Sequence, residues 1–380
     1  MNRKIILFLI LILILMIPPM HAQFKNPGNI EFTWLTDSTR HNVDLSEITI
    51  VLPKGAFPKI NYPDFLKKDQ GLKAFYLHEP VICIEIDGQA KAYPLNMLTT
   101  HEISNDTLGG IPILATYCPL CNSGVVYDRR LLWEGKREVL EFEVSGMLRK
   151  SDMVMMDTRT ESLWQQLMGE AIVGKYSGAL LETLPSLIIS VEEFFHKYPE
   201  GMILSNRTGN SELASTYGRN PYLGYDSSDG KPYERYFSHS EVDTRLPAME
   251  RVIDIEVNGA YKIYPFTKIA EKGVINDSFK GVGVVLFRSE NTVSVMDASE
   301  IAESRSIGSV SVFDSSLDGN HLTFAKKGKS FKDHQTGSFW DITGYCYKGK
   351  LKGAQLRILS HSNHFAFAWL AFHPDSEIYK

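Results

Sequence analysis

This sequence has no long basic run and no second Cys-x-x-Cys. It has no apolar stretch of membrane length after its start, and no cysteine near the point where that start would be cut. The first absence, with a formal charge of −5, removes the electrostatic footprint of a nucleic-acid binder. The second excludes a zinc site made of four paired cysteines. The third leaves no membrane span beyond the N-terminal segment. The fourth argues against a lipid-modified N-terminus.

What is present begins with an export signal. Met1-Asn2-Arg3-Lys4 is basic, Ile5 to Ile17 carries no polar residue, and two prolines and the small Ala22 follow. That is the order of a secretory signal peptide, and its apolar core falls short of the ~18 residues that mark a span. We expect residues 1–22 to be the signal and 23–43 a linker. The mature protein is then extracytoplasmic, periplasmic or secreted, with an uncleaved N-terminal membrane anchor as the alternative.

An internal repeat organises the rest. Ile82-Cys-Ile-Glu-Ile-Asp-Gly88 with Lys91-Ala-Tyr93-Pro94 returns as Ile253-Asp-Ile-Glu-Val-Asn-Gly259 with Lys262-Ile-Tyr264-Pro265. Asn105-Asp106 and Gly110 return as Asn276-Asp277 and Gly281, and each of these pairs is 171 residues apart (82 to 253, 105 to 276). Further on, Asp157-x-x-Thr160-x-Ser162-x-Trp164 matches Asp333-x-x-Thr336-x-Ser338-x-Trp340. Alternating apolar residues about Asp87-Gly88 read as a hairpin. Ile111–Tyr117 and Val125–Tyr127 read as a second, flanking Cys118–Gly124. Helical signals are short, at 95–103, 190–198 and 365–372. The expected fold is therefore mainly β with minor short helices (α+β). It consists of two tandem pseudo-symmetric β-rich domains from an internal duplication, 44–215 and 240–380, joined by a Gly-, Pro-, Asp- and Ser-rich surface loop at 216–239.

Features shared by both copies are most simply fold; features of one copy are candidates for function. Only the first copy has Cys118-Pro-Leu-Cys121. Only it has the segment from Met147 to Met156, with Arg149, Asp152, Met153 and Met155, and only it has His101, where the second copy has Lys272. A Cys-x-x-Cys followed by Asn122-Ser123-Gly124 and valines is a hairpin tip, unlike the helix N-terminus that lowers a thiol pKa in thioredoxin-type centres. Three readings stand. Cys118 and Cys121 cycle between dithiol and disulfide with an unidentified redox partner, with Arg149 or His101 favouring the thiolate and Asp152 beside them. Or they bind copper or zinc with His101, Met153 and Met155, exchanging metal with a donor or acceptor; thiolate and thioether suit Cu(I), and thiolate and imidazole suit Zn²⁺. Or they staple a loop of a non-catalytic interaction module. The first-copy features are expected to converge on one partly open pocket.

Together these residues carry a resemblance. His101-Glu-Ile-Ser-Asn-Asp106, Thr116-Tyr-Cys-Pro-Leu-Cys-Asn-Ser-Gly124, Arg149-Lys-Ser-Asp152, Thr160-Glu-Ser-Leu-Trp-Gln-Gln166 and Tyr217-Gly-Arg-Asn-Pro-Tyr222 resemble the bacterial and archaeal family DUF3179 over about 44–380. The resemblance brings no established activity. Family members with selenocysteine in place of a cysteine imply a reactive rather than inert sulfur pair. Asn122 stands where the family pattern has glycine.

Overall fold

The computed structural model describes residues 24–31, 33–208, 211–237 and 242–380; the signal-peptide expectation lies outside these residues. The chain is mainly β, with 41% strand and 13% helix in short pieces. No helix among the described residues is long and apolar enough to cross a membrane.

Each half is built in the same element order. In the first, strands Pro80–Ile86 and Gln89–Pro94 form a hairpin. Its two turn residues, Asp87 (φ 51°) and Gly88 (φ 76°), both take the positive φ of a type I′ turn. The helix Leu95–His101 follows, then the antiparallel strands Ile103–Leu108, Ile111–Cys118 and Ser123–Asp128. A four-strand meander then runs through Phe142–Arg149, Asp152–Asp157, Leu163–Gln165 and Glu170–Val173. Leu187–Ser190 returns to pair with Pro80–Ile86. The helix Val191–Lys197 then starts at a capping box between Ser190 and Glu193, and Met202–Leu204 adds in parallel to Gln89–Pro94. The second half repeats this from Arg251–Val257 to Glu377–Ile378, with Asn258-Gly259 in the turn and Glu377–Ile378 parallel to Ala260–Pro265.

Residues matched between the halves by sequence make the same bonds. Trp164 Nε1 donates to Asp157 at 3.2 Å and Trp340 Nε1 to Asp333 at 3.0 Å. The hydroxyl of Tyr93 donates to Asp106 at 2.6 Å, and that of Tyr264 to Asp277 at 3.0 Å. Lys91 and Lys262 pair with the same two aspartates at 2.6 and 2.9 Å. Buried indole and phenol donors must find acceptors, which accounts for carboxylates recurring at these places.

The halves share one large sheet. Ser309–Asp314 of the second half pairs with Leu187–Ser190 of the first at Ile188↔Val310, giving an eight-stranded sheet that crosses the molecule. This covers two edges that would otherwise expose unpaired backbone groups. The largest apolar cluster likewise contains both Trp164 and Trp340. Two segments expected at the surface are packed in part. Within 23–43, the Trp34 ring lies tilted against Phe24 with centroids 5.1 Å apart, and Trp34 donates to the carbonyl of Glu161 at 2.7 Å. Within the connection, Tyr225 and Asp226 are buried. Asp226 has to be paired there, and Arg251 and Ser294 donate to it at 2.7 and 2.6 Å.

Candidate functional site

Cys118 ends the strand Ile111–Cys118, and Pro119 opens a single 3₁₀ turn, Pro119–Cys121. Asn122 closes the turn at φ 51°. That is a left-handed position which asparagine tolerates better than most residues. The turn doubles the chain back so that both sulfurs lie on one side. Cys118 and Cys121 are 1% and 0% exposed, and both are free thiols.

The third member comes from the hairpin Phe142–Arg149/Asp152–Asp157. Its tip, Lys150-Ser151, has positive φ at both positions (50° and 64°), and this sharp reversal directs Ser151 and Asp152 onto the knuckle. The carbonyl of Ser151 accepts from Cys121 Sγ at 3.3 Å and faces Cys118 Sγ at 3.9 Å. Ligand-capable atoms of Cys118, Cys121 and Asp152 all lie within 4.8 Å of one another, and all three residues are buried. One oxygen of Asp152, Oδ2, accepts from Gln165 Nε2 at 2.5 Å and from the Leu167 amide at 3.0 Å. The other, Oδ1, is buried without a hydrogen-bond partner among the described residues.

The electrostatics are those of a cluster of buried acids, with the His364 ring favouring the ionised form of Asp152. Burial pushes both thiols up, Cys121 well above the ordinary range, and the hydrogen bond with Cys118 and the charge of Asp152 add to the shift at Cys121. Burial also raises Asp152 to about 6 against its donors. Glu102, the residue after the helix Leu95–His101, is raised to about 8 by burial and then by Asp152. Desolvation penalises each anion, and its neighbours are also anions.

Of the residues singled out in the sequence, Cys118, Cys121 and Asp152 are brought together. Met153 and Met155 belong to the same apolar cluster as the thiols. His101 is engaged elsewhere: its ring nitrogens meet the Pro58 carbonyl and the Tyr217 hydroxyl, each at 2.5 Å. Burial lowers its pKa, which favours the neutral ring. Arg149 is held by Glu47, at 2.7 Å through Nε, and lies 3.3 Å from Gln165 Oε1. The charges acting on the Cys118 thiol are those of Asp152 and Glu102, which oppose the thiolate. The site is also closed rather than partly open. The Tyr225 hydroxyl donates to the Leu120 carbonyl at 3.1 Å, the Ser151 amide donates to the Tyr236 carbonyl at 3.2 Å, and Phe372 lies against Arg149.

Sequence reasoning missed Glu102 and Gln165. For Glu102 a signal was present: Gly273 stands 171 residues on (102 to 273), so Glu102 is another first-copy feature. Gln165 gave none, because its counterpart, the residue after the matched tryptophan, is Asp341, another polar residue.

A β-rich chain with a buried Cys–Cys–Asp group at a hairpin tip is the class that fold and site define. The profile of the family described as "Protein of unknown function (DUF3179)" matches residues 54–376, nearly the whole chain. The chain belongs to that family. No curated protein and no solved structure matches it.

Proposed function

We propose that this protein binds a metal ion through Cys118, Cys121 and Asp152, with Zn²⁺ the best fit. The observation that carries this reading is the convergence of three buried acidic groups within 4.8 Å, with a carboxylate oxygen left unpartnered among the described residues. A divalent ion supplies the missing charge and the missing partner in one step. In a tetrahedron with Zn–S distances of about 2.3 Å the ligand atoms stand roughly 3.7 Å apart, so a small contraction completes the set. Two thiolates and a carboxylate oxygen suit Zn²⁺ better than Cu(I), which prefers sulfur throughout. Three protein ligands leave a fourth position open, as in catalytic rather than structural zinc sites.

The test is metal content after loading and gel filtration. One Zn²⁺ per chain is expected in the wild type, with retention lost in Cys118→Ser and in Asp152→Asn. Equal retention in Asp152→Asn would remove the carboxylate from the set, and no retention in the wild type would end the reading. A second reading, thiol–disulfide exchange, draws on the closeness of the two free thiols. Their raised pKa values count against it, since the thiolate is the attacking form.

We also propose that the halves arose by duplication and correspond to units 44–215 and 240–380, and that the chain is exported after loss of residues 1–22. Support for the first comes from the matched bonds of Trp164 and Trp340, and for the second from the N-terminal sequence pattern alone.

A further inference from the structure

Glu102 sits where the backbone disfavours it. It follows its helix in the left-handed region (φ 58°, ψ −28°), as Gly273 follows the helix Phe266–Lys272 at φ 70°. Glycine is the ordinary residue there, because a Cβ is strained in this conformation. The side chain gains nothing evident from the fold in return. Glu102 is 7% exposed, and its carboxyl makes no hydrogen bond or ion pair with any described residue. A buried carboxyl left in this way is costly. Its place is also specific. The Tyr117 amide donates to the Glu102 carbonyl at 2.9 Å, which fixes Glu102 opposite the residue before Cys118. The pairing of Ile103 with Thr116 continues the same ladder, so Glu102 stands at its end beside the strand that leads into Cys118. It lies outside the group of three that can ligate directly. A residue that is strained, buried and unpartnered beside a reactive cluster is where a functional constraint is expected.

We propose that Glu102 is the hydrogen-bond and proton acceptor for a protic ligand in the open fourth position of the metal site. That ligand is water, or a small substrate whose metal-bound atom carries an O–H or N–H. This rests on the metal reading above and assigns the substrate class to the same site. A cation bound beside it favours the ionised form of the Glu102 carboxyl, and the ligand's bound atom then places its lone pair on the metal and its proton toward that carboxylate. Ligands without a proton meet only the negative charge and are repelled.

The experiment loads the whole protein with Co²⁺ and titrates it with methylamine, whose ligating nitrogen carries protons, and with azide, which carries none. Visible absorption reads both. In Glu102→Gln, methylamine is expected to bind at least tenfold more weakly and azide at least tenfold more tightly than in the wild type, at unchanged Co²⁺ stoichiometry. Both affinities moving in the same direction, or neither moving, overturns the proposal while leaving the metal reading intact. Failure of the wild type to take up Co²⁺ overturns both. Glu102→Gly, which restores the residue found at 273, is expected to raise the metal-free melting temperature by about 2 °C or more. An unchanged or lower value would show that no strain is held there and would overturn the argument from it.

Discussion

Gln165 donates a hydrogen bond from Nε2 to Oδ2 of Asp152 at 2.5 Å, in the interior of the protein. That bond, with the Leu167 amide, occupies Oδ2 and leaves Oδ1 without a partner among the described residues. The Gln165 carbonyl oxygen lies in turn 3.3 Å from Arg149 Nη1, so the amide is fixed at both ends.

Gln165 therefore acts on the site through Asp152, as outer partners of metal ligands commonly do. Replacing it by leucine is expected to weaken Zn²⁺ binding about 10- to 100-fold. Competition against a chelator of known affinity reads the change. Affinity within twofold of the wild type would show that Asp152 is oriented by other means.

Glu79 supplies a pH dependence independent of the site. It is 4% exposed, its Oε1 has no hydrogen-bond partner among the described residues, and burial raises it from 4.5 to about 8. The fold favours the protonated form, so this contribution to stability is fully present below about pH 4.5 and is lost as pH rises toward 8. The loss is on the order of 4 kcal/mol by pH 8. Glu102 and Asp152 are raised too, so they act in the same direction. Urea unfolding of metal-free protein should show stability falling from pH 5 to 8, with a clearly shallower fall in Glu79→Gln. Identical slopes in the two proteins would exclude Glu79 as a source.

Two glycines separate backbone strain from collision. Gly146 has φ 79°, sits at a bulge between Val144 and Met147, and a Cβ there would collide with the Leu52 carbonyl oxygen. Gly88 has φ 76° with nothing near an added Cβ. Gly88→Ala is expected to cost about 1 kcal/mol, and Gly146→Ala about 3 kcal/mol or more, because strain and overpacking add. Denaturant midpoints decide this, and equal costs would mean that the Leu52 loop yields freely.

The matched tryptophans give a test of the repeat. Asp157 accepts from Trp164 Nε1 and the Thr160 amide, and Asp333 from Trp340 Nε1 and the amides of Thr336 and Ser338. Asp157→Ala and Asp333→Ala each strand several buried donors, at roughly 2–4 kcal/mol. Comparable losses in both halves are expected. A loss in one half only, by thermal unfolding, would mean that the two motifs do not serve the same structural purpose.

Much of the fold was legible in the chain because its signals are local. Asp87-Gly88 and Asn258-Gly259 specify their turns by the φ values they allow, and the helices after Pro94 and at Ser190 begin at capping or proline signals. Cys118-Pro-Leu-Cys121 between β-branched runs could be read as a hairpin tip without knowing what lies above it. Both the family resemblance and the short helices follow from the order of residues along the chain.

The composition of the site was decided by contacts that no local signal encodes. Arg149 and Asp152 lie three residues apart in one segment, yet the left-handed turn at Lys150-Ser151 sends Asp152 to the thiols and leaves Arg149 with Glu47. His101 was chosen for its chemistry, but Pro58 and Tyr217 take its nitrogens, while its neighbour Glu102 is held opposite Tyr117 by a backbone bond. The pairing of Ile188 with Val310 and the packing of Tyr225 over Leu120 join segments more than 100 residues apart. The chain states which residues can ligate, turn or alternate. Which of them meet depends on strand register and on how the halves close over the knuckle, because burial and partner choice are properties of the assembled surfaces.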